Sequence, residues 1–215
     1  MDKINNKINN IVNINRNENR DNNSNNISNK ISNKISNNDS INDSFNNSSN
    51  GILKGRAFKF GDDISTDLIA PGRYFHLRSN LTELAKHVLE DADPQFINKV
   101  RPGDFIVAGR NFGLGSSREH APTIIKIAGV GAVLAKSFAR IFFRNSINIG
   151  LVCLVCDTDE IDDGDELEID LRQGTINNLT KDKKIKFNPL PEVMIKILND
   201  GGLVNHITKN QGFNL

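Results

Sequence analysis

Cysteine is scarce in this chain of 215 residues: there are two, Cys153 and Cys156, spaced C-x-x-C in the run LVCLVCD. Two thiols fall short of the three or four that an iron–sulfur cluster takes from protein. With no second cysteine pair they do not complete a zinc site either. The run is bounded by Gly150 and Asp157 and reads as a buried parallel strand, on which residues three apart point to opposite faces. Both cysteines are therefore expected to be small apolar strand residues, and no metal is expected on this chain. An excess of one charge is also lacking. The net charge is +1, with basic and acidic residues interspersed, so there is no basic stripe to follow a phosphate backbone and nucleic acid is not an expected partner. No apolar run is long enough for a bilayer or for the core of a secretory signal.

Large apolar side chains are missing from the N-terminal segment too. Of the first 50 residues 20 are Asn, and most of the rest are Ser, Ile, Lys and Asp. Such a segment cannot bury enough surface to offset the entropy of ordering itself, so residues 1–50 are expected to be a disordered low-complexity tail. Arg16, Arg20 and many serines give it some likeness to a transit peptide. The acids Asp2, Glu18, Asp21, Asp39 and Asp43 argue against that, and a cytoplasmic location is expected.

From Gly51 the texture changes to apolar runs, turns and amphipathic stripes, and residues 51–215 are read as one domain. GRAFKF (55–60) reads as a strand. ISTDLIAPGRYFHLR (64–78) has no helical period and is interrupted at Pro71-Gly72, so a long loop with some strand is expected. Leu81, Leu84, Ala85, Val88 and Leu89 form a helical stripe within 81–92, with Asn80 as its cap. Phe105–Ala108 and Ala132–Ala135 read as strands, and 118–128 and 137–148 as helices. Phe138, Ile141 and Phe142 are assigned to the core face of the second. The strand containing Cys153 follows. Strands alternating with helices at this spacing predict a parallel arrangement. ELEIDL, a turn at Gln173-Gly174 and a lysine-rich edge at 181–187 predict an antiparallel flank. Residues 190–198 close the domain as a helix. The fold class is α/β with a β-rich flank.

The stretch that carries chemistry is GRNFGLGSSREHAP, 109–122. Gly113 and Gly115 permit backbone conformations and close approaches that a side chain would block. Ser116 and Ser117 are expected where a helix begins, among free N–H groups and the positive end of the helix dipole, with Arg118 adding a full charge. A carboxylate arriving there would meet backbone donors, two hydroxyls and a planar guanidinium. The same field would favour a developing alkoxide on serine, which is otherwise a poor base. A plainer alternative stays open: Ser116-x-x-Glu119 also fits a capping box. His120 has no assigned role.

NFGLGSSREHAP, followed by AKSFARIFFRNSINIGL, resembles the swivelling domain of the aconitase superfamily. Within it, the likeness is to the separate small subunits of isopropylmalate dehydratases and homoaconitases, and it runs from about Gly55 to Ile207. The resemblance implies a swivelling β/β/α fold that caps a larger partner subunit, as a heterodimer or heterotetramer. It implies a 4Fe–4S cluster on that large subunit and none on this chain. The reaction implied is elimination and re-addition of water on a dicarboxylic or tricarboxylic acid, interconverting 2- and 3-isopropylmalate in leucine biosynthesis. One open iron of the partner's cluster would act there as the Lewis acid. By resemblance Ser116 is the base that removes the proton alpha to a carboxylate, and Ser117 and Arg118 hold a substrate carboxylate.

STDLIAPGRYFHLRS is a second matching segment. Its T-D-x-I pattern makes Asp67 an active-site aspartate that orients the catalytic groups and puts Thr66 at the substrate; otherwise Asp67 is a loop residue bonding its own backbone. Tyr74 to Ser79 matches the substrate-selecting loop, placing Leu77 and Arg78 at the substrate. The family reads Y-L-R-T or similar there. YFHLRS departs from that pattern, and Arg78 either faces the substrate or is a solvated loop charge. Homoaconitate, citrate-like acids and methylated malates are the alternative substrates. Arg140 and Arg144, four apart on one helix face, bind a carboxylate or pair with acids at the subunit interface. A non-catalytic anion-binding module is the competing class. A phosphate site is excluded, because the glycine-rich loop lacks the Lys-Ser/Thr ending of a P-loop.

Overall fold

Four short apolar runs organise the parallel half of the sheet. In the computed structural model, which describes residues 51–116 and 118–212, they are β1 (Ile52–Lys59), β2 (Phe105–Ala108), β3 (Ala132–Ala135) and β4 (Val152–Val155). Residues 1–50, Ser117 and 213–215 lie outside the described residues, and with them the expectations for the tail and for the Ser117 hydroxyl. All of β2 and β3 is buried, as strands covered on both faces must be. The parallel register aligns Ala57 with Phe105, Phe105 with Ala132 and Ala132 with Val152. On its other edge β1 pairs antiparallel with β5 (Glu166–Asp170), which leads to β6 (Thr175–Asn178) and β7 (Lys183–Lys186). The order is β4-β3-β2-β1-β5-β6-β7. An antiparallel bridge between Cys156 and Phe187 joins the two ends of that order, so the sheet curls back on itself.

Period-two alternation then creates two cores. Ala57, Phe105, Val107, Leu134, Leu154, Leu167 and Ile169 pack inside the curl. Phe58, Ile106, Ala108, Val133 and Cys153 face the helices. Cys153 and Cys156 thus lie in different cores. Burial pushes both thiols up to about 12, so they stay protonated and apolar in character.

The helical layer contains α1 (Thr66–Ile69), a 3-10 segment (Gly72–Leu77), α2 (Leu81–Ala85), α3 (Phe96–Lys99), α4 (His120–Ile127) and α5 (Arg140–Asn148). Leu84, Ala85, Ile124, Ile125 and Phe142 bury against the sheet, each large side chain contributing about 1.5–3 kcal/mol. Several expectations need correction. Segment 64–78 is not a loop with strand. Ser65 Oγ accepts from Leu68 N–H at 3.1 Å and starts α1, and Pro71 opens the 3-10 turn. Of the stripe within 81–92, Leu84, Ala85, Val88 and Leu89 are buried and Leu81 is half-buried, but α2 stops at Ala85, and Leu89 takes φ +56°. Ile141 is exposed, not core; α5 buries Phe142, Ser146 and Ile147, with the Ser146 hydroxyl donating back to Phe142 O at 2.9 Å. Strand β6 and a last helix, α7 (Leu203–Asn210), following α6 (Glu192–Asn199), were not legible. β6 is polar by composition, and its buried Asn178 is satisfied by donating to Asp165 Oδ2 at 2.6 Å and Glu160 O at 3.1 Å. α7 is tied by His206 and Lys209 to Asp200.

Candidate active site

The loop after β2 is stitched by its backbone to two other segments. Gly113 N–H donates to Ile64 O at 2.7 Å and Thr66 N–H to Leu114 O at 2.8 Å, which fixes the start of α1 beside the loop. Phe112 N–H donates to Ser137 O at 3.0 Å and Ala139 N–H to Phe112 O at 2.9 Å, which fixes the start of α5 on the other side. Three stretches far apart in sequence therefore meet at one turn. Gly115 there takes φ +104°, a conformation open to glycine.

One side of the turn holds an ion pair. Arg118 Nη1 lies 2.5 Å from Asp67 Oδ1 and also donates to Ala70 O at 3.3 Å. Its side chain is 21% exposed against 60% for Asp67, so the pair is worth at most about 1 kcal/mol. The pair sets the Asp67 carboxylate beside the Arg118 guanidinium at the turn. Thr66 is 1% exposed, and its Oγ1 has no hydrogen-bond partner among the described residues. A Cβ on Gly115 would sit 3.2 Å from that oxygen.

Ser116 is exposed at the turn. The capping-box alternative does not survive. Helix α4 begins at His120, with Glu119 in the cap position and no side-chain cap. Ser116 accordingly precedes the helix rather than opening it, which also moves the helix dipole farther from it than its sequence placement implied. Pro122 lies in the first turn of α4, where its missing N–H costs nothing.

The opposite wall is α5. A cleft of about 590 Å³ separates Gly115 and Ser116 from Arg140, Ile141 and Arg144. The sequence alone does not place these arginines across a cleft from Ser116, because that arrangement depends on the backbone stitches between Phe112 and Ala139.

The remaining expected residues lie around the 3-10 segment. Arg78 folds back, its guanidinium over the Phe75 ring at 4.6 Å and Nη1 donating to Phe75 O at 3.4 Å. Phe75 meets His120 edge-on, with ring centroids 6.3 Å apart. Burial, and then the charge of Arg118, hold the His120 imidazole below its ordinary pKa, so it is neutral at pH 7. Leu77 is half-buried against the helical core, whereas Phe75 is exposed. Tyr74 stacks on His87 at 3.6 Å, and its hydroxyl donates to Glu90 at 3.2 Å, anchoring the segment.

Residues 63–159 match the aconitase C-terminal domain. The 3-isopropylmalate dehydratase small subunit 2 of Archaeoglobus fulgidus is 69% identical over 156 residues, 73% of this chain and 94% of that protein. The small subunit 1 from Thermotoga maritima is 61% identical over 75% of this chain and 98% of its own length. The methanogen homoaconitase small subunit of Methanothermobacter thermautotrophicus is 57% identical over 74% of this chain and 92% of its own. Among solved structures, the crystal structure of 3-isopropylmalate dehydratase from Methanocaldococcus jannaschii superposes with a TM-score of 0.71 at 51% identity, covering 74% of this chain and 95% of that one.

Proposed function

Because the chain belongs to the family of 3-isopropylmalate dehydratase small subunits, a branch of the aconitase superfamily, we propose that it interconverts 2- and 3-isopropylmalate in complex with an iron–sulfur large subunit. The single observation that carries this reading is the 69% identity to a dehydratase small subunit across 94% of that protein's length. Within residues 51–215, the functional domain in this reading, Ser116 takes the proton alpha to a carboxylate. Ser117 and Arg118 bind carboxylate, Asp67 orients Arg118, and Thr66, Leu77 and Arg78 lie at the substrate. The Asp67–Arg118 contact at 2.5 Å and the exposed position of Ser116 support these roles.

This chain's own donors do not fit an iron–sulfur cluster. Among the described residues no three His, Cys, Asp or Glu side chains are grouped to hold a metal, and the two protonated thiols occupy separate cores. The cluster belongs to the partner in this reading, and the domain here supplies the proton acceptor and the substrate clamp. No helix of the described residues is long and apolar enough to cross a membrane; a cytoplasmic location is part of this proposal.

Co-expression with a cluster-bearing large subunit tests the proposal. The complex is expected to convert 2-isopropylmalate, while this chain alone, treated anaerobically with iron and sulfide, stays colourless and inactive. A stoichiometric cluster stable on the isolated chain would overturn the division of labour. The 57% match to a homoaconitase small subunit favours a second reading, which wins if the complex turns over homoaconitate and ignores isopropylmalate.

Arg78→Ala in that complex is expected to change acid preference without impairing assembly. A guanidinium gripping a carboxylate is worth about 30-fold or more in kcat/KM for the preferred acid. A panel of substituted malates measures this; identical profiles before and after would place Arg78 in solvent, stacked on Phe75 as it lies here.

A further inference from the structure

We propose that Arg140 and Arg144 form a second carboxylate clamp, holding one end of the substrate acid in the cleft onto which Ser116 opens. The inference rests on the dehydratase reading and deepens it by naming the residues that fix the acid opposite the serine.

The expected clamp, Arg118, is already engaged with Asp67 and the Ala70 carbonyl. Across the cleft the situation differs. Arg140 and Arg144 are one helical turn apart on the same face of α5, both exposed, and neither makes an ion pair or hydrogen bond among the described residues. Two uncompensated guanidinium groups on one wall of a 590 Å³ cleft repel each other and favour an anion between them. Behind Gly115, which lines the cleft, Thr66 Oγ1 is buried without a hydrogen-bond partner among the described residues, and a Cβ on Gly115 would approach it to 3.2 Å. Ile141, 44% exposed between the two arginines, adds an apolar patch suited to a short alkyl branch. The occupant so described is a small dicarboxylic or tricarboxylic acid with a hydrocarbon substituent. The same two charges would favour an alkoxide on Ser116 when it gives up its proton, which is the state a serine base needs.

The test has two arms. In the first, the isotope-labelled full chain is titrated with malate and the amides of Gly115, Arg140, Ile141 and Arg144 are followed by NMR. Saturable shifts are expected in the wild type and none in the Arg140→Gln/Arg144→Gln variant, which should fold normally because both side chains are exposed. Absence of shifts in the wild type overturns the clamp whatever reaction the complex performs. In the second arm, the reconstituted complex is assayed. The double Gln variant should raise KM for isopropylmalate about tenfold or more, with a smaller fall in kcat and unchanged co-elution with the large subunit. Arg140→Lys/Arg144→Lys should recover part of the loss, since charge without the planar fork still attracts a carboxylate. An unchanged KM, or loss of co-elution with normal KM in the residual complex, overturns the proposal; the latter would assign the arginines to an acidic surface of the partner. If the wild-type complex is silent on isopropylmalate, the dehydratase reading fails and the malate arm decides the clamp alone.

Discussion

Replacing Ser116 with glycine is expected to leave the domain folded and to reduce turnover of the assembled enzyme by roughly two to four orders of magnitude, the usual range for losing a general base. Capping cannot account for a loss of that size. A helix cap changed to glycine costs a few tenths of a kcal/mol, and Ser116 is not a cap here, since α4 begins at His120 behind Glu119. The side chain is exposed and packs into neither core. Melting temperature should therefore stay within a degree or two of wild type, corresponding to less than about 0.5 kcal/mol. If Arg118, Arg140 and Arg144 bind carboxylate as proposed, KM should move little, because all three are untouched by the change. Single-turnover kinetics on the complex measure the proton-transfer step directly. Near wild-type turnover in Ser116→Gly would remove the serine from the mechanism.

The strands that build the parallel half were legible because each is a continuous apolar run bounded by turns. Phe105–Ala108 and Ala132–Ala135 fold with the bounds their residues imply. The Asn80 cap was legible for a similarly local reason, a side chain three residues from the amide it accepts, at 3.2 Å from Glu83 N. What failed depends on distant partners. TINN does not look like a strand until Asp165 and Glu160 satisfy Asn178. Ser116 does not stand at the helix end because the turn is held by Ile64 and Thr66, neither of which the helical pattern registers.

The candidate site divides the same way. Glycines, two serines and an arginine in one short stretch point to anion chemistry without any tertiary information. The Asp67–Arg118 contact joins residues 51 positions apart, and only the resemblance to a known family singled out Asp67. Arg140 and Arg144 were visible as a pair sharing a face, but charges at that spacing are commonly solvated. Their position beside Ser116 follows from the Phe112–Ala139 hydrogen bond. Ile141 is exposed although it lies on the apolar stripe, because such a stripe gives the face that is apolar, not the residue at its edge that a cleft leaves uncovered.

Gly113 connects the fold to the site, and Gly113→Ala is expected to be the most damaging single methyl addition in the loop. Its φ of +77° alone costs a non-glycine residue roughly 1–2 kcal/mol. The added Cβ would also fall 2.2 Å from Cγ of Phe142. That ring is 2% exposed and packs edge-on against Phe112 at 5.3 Å, so it has no free space into which to withdraw. Overpacking of this kind adds about 1–3 kcal/mol, which lowers the melting temperature by something on the order of 10 °C in a domain of this size. Activity should fall as well, because relieving the clash pushes the turn carrying Ser116 away from α5. Gly61→Ala is the matched control: nothing lies within 4 Å of its Cβ and its backbone is not in the left-handed region, so melting should be nearly unchanged. Phe142→Leu supplies the second half of a double-mutant cycle. If the ring is the obstacle, the combined variant is more stable than the sum of the single losses implies. Additive losses, or a Gly113→Ala protein that melts with the wild type, would mean that the loop does not pack on α5 as described, and the cleft between Ser116 and the two arginines would go with it.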